Sequence, residues 1–255
     1  MSIIAVFNQK GGVGKTTTAL NLLAAIAQRK QRPLGIDLDP QGHLSHIFGV
    51  QPRAADDTIY SFFMRQRPLD EIAEITKSGV ILCPSHLELN KLDTLLGKGV
   101  NVVTRLRHAL HAPGAAPGPV VIDCCPLLNV LSLNAVFAAD LMLIPVSADF
   151  LSLQGAGQVE RALNALEPVF KRRLPRRYLL TRYDMRRRMS GAVVERMAET
   201  LRPDEICVTR IRENVKLAES PSVGVDIFRH APDSRGARDY AALHEELVGA
   251  GFLER

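Results

Sequence analysis

Ile3-Ile4-Ala5-Val6-Phe7-Asn8-Gln9-Lys10-Gly11-Gly12-Val13-Gly14-Lys15-Thr16-Thr17 runs from an apolar strand through a glycine-rich loop into the start of a helix. That succession is a phosphate cradle. The backbone N–H groups of such a loop can all point inward at a polyphosphate, Lys15 can reach the β/γ oxygens, the Thr16 hydroxyl can ligate Mg²⁺, and the following helix presents its positive end. The strict G-x-x-x-x-G-K-[ST] pattern asks for glycine at position 9, where this chain has Gln9, and the chain carries a further lysine, Lys10, inside the loop.

Beyond the loop, short apolar strands alternate with helical stretches. Strands are expected at Ile3–Phe7, Leu34–Asp37, Val80–Cys83, Val120–Asp123, Leu141–Val146, Tyr178–Thr181 and Ile206–Thr209. Helices are expected near Thr16–Arg29, Leu69–Ile75, Val100–His111, Asn129–Ala138, Ser152–Phe170, Ala192–Leu201 and Gly236–Val248. This alternation indicates an α/β fold, a doubly wound, mostly parallel sheet with helices on both faces, and ligands then bind beyond the carboxyl ends of the strands. At 255 residues the chain is expected to form one large α/β domain over 1–255, carrying the phosphate-binding loop. Val159, Leu163, Leu166 and Phe170 fall on one helical stripe and read as core, and the Pro/Gly/Ala-rich stretch 112–119 reads as a surface loop.

Two acidic motifs end strands. Asp37-Leu38-Asp39-Pro40-Gln41-Gly42 closes the second expected strand, and Val120-Val121-Ile122-Asp123 closes the fourth. Phosphoryl transfer to water is mostly positioning and charge compensation, so it needs Mg²⁺, a group that orients the water, and positive charge on the developing oxyanions. Strand-end aspartates can supply the first two.

The loop Lys10-Gly11-Gly12-Val13-Gly14-Lys15-Thr16-Thr17 resembles the deviant P-loop of the ParA/MinD superfamily in its ParA version, and the Asp-x-Asp-Pro-Gln-Gly segment is similar to the ParA switch region. The resemblance continues through Leu133-Asn134-Ala135, Leu143-Ile144-Pro145-Val146, Asn214 to Ser222 and Asp233 to Ala237, and is weakest over 80–120. It implies an ATP-hydrolysing switch that forms an ATP-bound homodimer, binds double-stranded DNA non-specifically and positions a cargo, with a ParB-like or cargo-adaptor protein stimulating hydrolysis. It also implies roles for particular residues. Asp39 would orient the attacking water, Asp37 would support the Mg²⁺ shell, and Asp123 would hold Mg²⁺ through water. Lys10 would cross the dimer interface to the partner's phosphates. Arg212 and Asn214 would lie beside the adenine, and Arg186 and Lys216 at DNA-contacting positions. Two departures stand out: Asp123-Cys124-Cys125-Pro126-Leu127 replaces the family's Asp-Cys-Pro-Pro-Ser, and Arg212 stands at its usual proline.

The net charge of +5 is unevenly placed. Residues 1–160 carry 13 Lys/Arg against 13 Asp/Glu, and residues 161–255 carry 19 against 14, so the excess lies in the last third. Its densest part, Lys171-Arg172-Arg173-Leu174-Pro175-Arg176-Arg177 followed by Arg182 and Arg186-Arg187-Arg188, reads as a nucleic-acid surface. No apolar run reaches membrane-span length, and the four cysteines lack paired spacing and read as reduced thiols. A cytoplasmic, nucleoid-associated location is expected. Histidines spaced three apart, His43/His46 and His108/His111, read as surface or helix-end residues.

Two rival readings share the scaffold. A MinD-like membrane ATPase needs a lysine-rich amphipathic tail, whereas Leu243 to Arg255 is acidic and broken by glycines. An iron–sulfur carrier needs bridging cysteines, a pattern that Cys124 and Cys125 do not supply; an ATP-dependent amide synthase is the remaining alternative. With so little chain before the P-loop to hold a helix-turn-helix, operator-specific DNA binding is not expected.

Overall fold

A computed structural model describes residues 2–97, 99–112 and 114–254. Eight strands form one sheet: β1 (Ile3–Val6), β2 (Leu34–Asp37), β3 (Glu74–Ile75), β4 (Ile81–Cys83), β5 (Val120–Asp123), β6 (Leu141–Ser147), β7 (Arg176–Tyr183) and β8 (Ile206–Arg212). Their order is β3-β4-β2-β5-β1-β6-β7-β8, parallel throughout except for the antiparallel β3–β4 pair.

Side chains on a strand alternate between faces, and both faces of this sheet are apolar because both are covered. Ile3, Ala5 and Phe7 join a core with Val120, Ile122, Met142 and Ile144 beneath the helices Val130–Ala138, Phe150–Phe170 and Arg188–Thr200. Ile4 and Val6, with Val121, Leu141 and Leu143, join a second core against the helices Lys15–Gln28 and Arg235–Gly249. The sheet is thus the middle of three layers, as the apolar strands imply.

At one edge of the sheet, β8 would expose open backbone donors. Glu246 of the last helix accepts the N–H groups of Val208 and Thr209 at 2.8 and 2.7 Å and blunts that edge. Gly118, before β5, lies so close to the Arg32 carbonyl that a Cβ would sit 2.6 Å from it, which fixes the Pro/Gly-rich stretch against the β2 side.

The structure corrects several sequence-based boundaries. The expected helix Leu69–Ile75 stops at Ile72, and Glu74–Ile75 turns into the short edge strand β3. The expected helix Val100–His111 breaks at Thr104 into Val100–Val103 and Arg105–Leu110. Short helices at His43–Ile47, Ile59–Arg65, Leu92–Leu96, Val215–Glu219 and Ile227–His230 were not expected, since one or two turns are too short for a helical period to emerge. Pro113 of the 112–119 stretch lies outside the described residues.

Candidate functional site

Strand register brings the chemistry together. In the parallel ladders Val6 pairs with Asp123 and Asp123 with Asp37, so the ends of β1, β5 and β2 are level and two carboxylates sit beside the loop that leaves β1. Above these ends lies a cleft of about 630 Å³, lined by Gly11, Gly12 and Gly14 to Thr17, by Asp39 to Gln41, and by Cys125 to Leu127 and Asn129 on one side. Thr181, Arg182, Ile211 to Asn214, Leu217 and Tyr240 line the other.

Gly14 caps the Lys15–Gln28 helix at φ 90°, a conformation that needs glycine, and no side chain caps that N-terminus. The first-turn N–H groups therefore open onto the cleft, and with the helix dipole they make an anion site. Lys15 is nearly buried there, and its Nζ donates to the Lys10 carbonyl at 3.0 Å. Burial lowers its pKa, while Asp123 and Asp39 pull the other way. The Val13 carbonyl accepts the Thr181 hydroxyl at 2.9 Å, which ties the loop to β7.

Asp123 is fully buried, and neither of its carboxylate oxygens has a hydrogen-bond partner. Burial, followed by repulsion from Asp37, raises its pKa well above the carboxylate range. Asp37 is also fully buried, and burial pushes it up to about 6 against the hydrogen bonds it accepts from Ser45. Buried, unpaired carboxylate oxygens close to the Thr16 hydroxyl are an all-oxygen donor set that suits a hard divalent cation. Among the described residues no group of three or more His, Cys, Asp or Glu could cage a metal. Mg²⁺ is commonly held by one or two carboxylates, waters and substrate phosphates, and Asp123 with Thr16 supplies the protein's part of such a set.

Lys10 lies elsewhere. It does not line the cleft, and its Nζ donates to Asp149 at 2.6 Å and to the Ser152 hydroxyl at 2.8 Å, at the start of the Phe150–Phe170 helix. Asp149 caps that helix through the Ser152 N–H, and although burial works against it, the bonds from Lys10 and Ser152 hold its carboxyl well below the usual range. Asn8, fully buried, donates to the Pro145 carbonyl at 2.8 Å and accepts the Lys10 N–H at 3.0 Å. The sequence reading missed Asn8, Asp149 and Ser152. An Asp three residues ahead of Ser152 at the start of an expected helix was the available capping signal.

On the other side of the cleft Arg212 is held in a fork by Asp239, which also accepts its backbone N–H, so its guanidinium is committed. The Asn214 Oδ1 caps the helix Val215–Glu219 by accepting the Lys216 N–H at 2.9 Å, leaving its amide nitrogen for a ligand. Arg186 is 89% exposed and forks onto Asp184, and Lys216 pairs with Glu219 at 2.8 Å.

The basic run departs from expectation. Arg176 is fully buried on Glu160 and Glu167, and Arg173 is bound by Glu205 and Glu160, so neither belongs to a nucleic-acid surface. Arg177 lies over the Phe252 ring at 5.2 Å. The exposed positive charge is at Lys171 and Arg172, at Arg182 near the end of β7 and, beyond that strand, at Arg186, Arg187 and Arg188, joined by Arg210 over the Tyr183 ring.

The sequence profile of the AAA domain family matches residues 1–175. The chromosome partitioning protein ParA of Myxococcus xanthus is 35% identical over 250 residues, covering 96% of this chain and 87% of that protein. Sporulation initiation inhibitor protein Soj of Bacillus subtilis is 33% identical over 251 residues, covering 98% and 99%. The chain belongs to the ParA/Soj family of P-loop ATPases. Among solved structures, cobyrinic acid a,c-diamide synthase from Mycobacterium smegmatis with bound ADP and magnesium has a TM-score of 0.84 and 27% identity, covering 100% of this chain and 97% of that one. The ParA/Soj P-loop therefore stands here on the expected fold, with its lysines held by two separate sets of partners.

Proposed function

We propose that this chain is an ATP-driven partitioning switch, which binds Mg²⁺ and ATP in the cleft, dimerises across it, engages DNA non-specifically and is reset by hydrolysis. One observation carries the reading: Lys15 points into its own cradle, while the Lys10 ammonium lies outside it on Asp149 and Ser152. A cation on the P-loop that lies outside its own phosphate site suits phosphates presented by a second copy. Exposed Leu127, Phe150 and Leu151 lie beyond the same strand ends and give that second copy an apolar surface to cover.

Within the site, Thr16 and Asp123 would hold Mg²⁺, with Asp37 supporting its shell. Bound there, the ion would offset phosphate charge. The open N–H groups of the Lys15–Gln28 helix and Lys15 bind the phosphates, Asp39 orients water, and Asn214 and Arg212 flank the base. Arg186 and Lys216, with the exposed arginines beyond β7, would supply phosphate contacts to DNA, and a ParB-like adaptor would stimulate hydrolysis.

Partition is favoured over amide synthesis because the relatives named for partitioning and sporulation control are 33–35% identical over nearly the whole chain, against 27% for the diamide synthase. For the stretch after the last helix, membrane contact is disfavoured: Leu253 is buried and Phe252 packs against the second core, so neither offers a lipid-facing stripe. Light scattering of an Asp39→Ala protein tests the switch, with a dimer expected in ATP and a monomer in ADP. Equal mass in both nucleotides would contradict it.

A further inference from the structure

Ser45 and Ser85, both almost wholly buried, lie behind Asp37 at the end of β2 and Asp39 in the turn after it. Ser45 donates to Asp37 twice, through its N–H at 2.9 Å and its hydroxyl at 2.6 Å. The same hydroxyl accepts the Ser85 N–H at 3.0 Å, and the Ser85 hydroxyl donates to the Asp39 carbonyl. Asp39 is thereby held from several directions. Its N–H donates to Asp37 at 3.2 Å, its carbonyl also receives the Gly42 N–H at 2.9 Å, and its Oδ1 accepts the Gln41 N–H at 3.0 Å. Oδ2 is left for a ligand in the cleft that Asp39 lines.

The Gly42 N–H already satisfies the Asp39 carbonyl, so the Ser85 hydroxyl is a second donor to an acceptor that has a partner without it. What the second donor adds is direction. It ties the turn after β2 to the segment after β4, which also sends Asn90 to the cleft.

We infer that Ser85 is a positioning residue for hydrolysis: its hydroxyl fixes the Asp39 main chain so that the Asp39 carboxylate is held toward the attacking water, and Ser45 carries the same restraint to Asp37. The inference rests on the reading of Asp39 as the group that orients water. A carboxylate on a turn loses its aim with small main-chain shifts, and misplacement of about 1 Å can cost on the order of a hundredfold in rate.

The test compares Ser85→Ala, Ser85→Thr and Asp39→Ala for kcat, KM for Mg-ATP, equilibrium ATP affinity and amide hydrogen exchange over residues 39–42. Ser85→Ala keeps the backbone bond to Ser45 and removes only the hydroxyl. It is expected to lower kcat about tenfold while KM and ATP affinity stay within about twofold. Exchange at Gln41 and Gly42 should quicken, and Ser85→Thr should restore both rate and protection. Wild-type kcat in Ser85→Ala, a parallel loss of rate and affinity, or a threonine variant as slow as the alanine one would each overturn the inference. Asp39→Ala separates the two levels: if it hydrolyses ATP at the wild-type rate, the reading of Asp39 fails, and the role of Ser85 falls with it for that reason alone.

Discussion

Lys10 and Lys15 share one loop, but their ammonium groups answer to different neighbours. Lys15 is buried against the Lys10 carbonyl and feels Asp123 at the end of β5 and Asp39 in the turn after β2, so its charge is placed for a ligand in its own cleft. Lys10 rests on Asp149 and Ser152. Lys15→Ala is therefore expected to weaken ATP binding by about tenfold to a hundredfold, the worth of a lost charge-assisted hydrogen bond. Lys10→Ala should leave binding to the monomer within about threefold yet abolish turnover. Titration with a fluorescent ATP analogue beside steady-state hydrolysis checks both, and equal loss of affinity in the two variants would contradict the division. The sequence revealed the cradle because the loop motif is local. The resting place of Lys10 was hidden because its partners lie 139 and 142 residues away.

The Phe150–Phe170 helix shows the same contrast at larger size. Its apolar stripe is legible from spacing alone, and Val159 and Leu163 are indeed in the core. Its polar face went unread, and the basic run after it was misread for that reason. Glu160 and Glu167 meet Arg173 and Arg176 only when the helix folds back beside β7, so a charge count along the chain sees a basic surface where the fold builds an internal ion network. The edge strand β3 was missed for a related reason, since two residues carry no period. Burial would raise Glu160, but hydrogen bonds from Tyr178, Arg176 and Arg173 outweigh it and hold the carboxyl at about 2, below its ordinary 4.5. A depressed carboxyl stabilises the fold above its unfolded pKa, and that stability drains away as pH falls from about 4.5 towards 2. Glu160→Gln should destabilise the protein by about 3 kcal/mol at neutral pH, with the difference from wild type shrinking through that window. Denaturant melts at pH 7 and pH 3 measure it, and a constant difference would refute the role given to Glu160.

Across the molecule, the order of strands puts the carboxylates of β2 and β5 on one side of the P-loop and the loops after β7 and β8 on the other, so one end of the sheet carries the whole cleft. The exposed arginines at the end of β7 and beyond it lie near that end of the sheet, and three of them, Arg182, Arg186 and Arg187, are already shared with Glu213 and Asp184. Under the proposed function a dimer doubles the patch. Since the salt dependence of DNA binding scales with the number of phosphates neutralised, the slope of log affinity against log salt should be about twice as steep for the dimer. Replacing Arg186, Arg187 and Arg188 with alanine should flatten that slope by about one for each lost contact and leave ATP turnover unchanged. The switch is tested most directly by DNA binding of the Asp39→Ala protein over a salt series, in ATP and in ADP. The account predicts tight, steeply salt-dependent binding in ATP and weak, shallow binding in ADP; equal affinity and equal slope in the two nucleotides would contradict it.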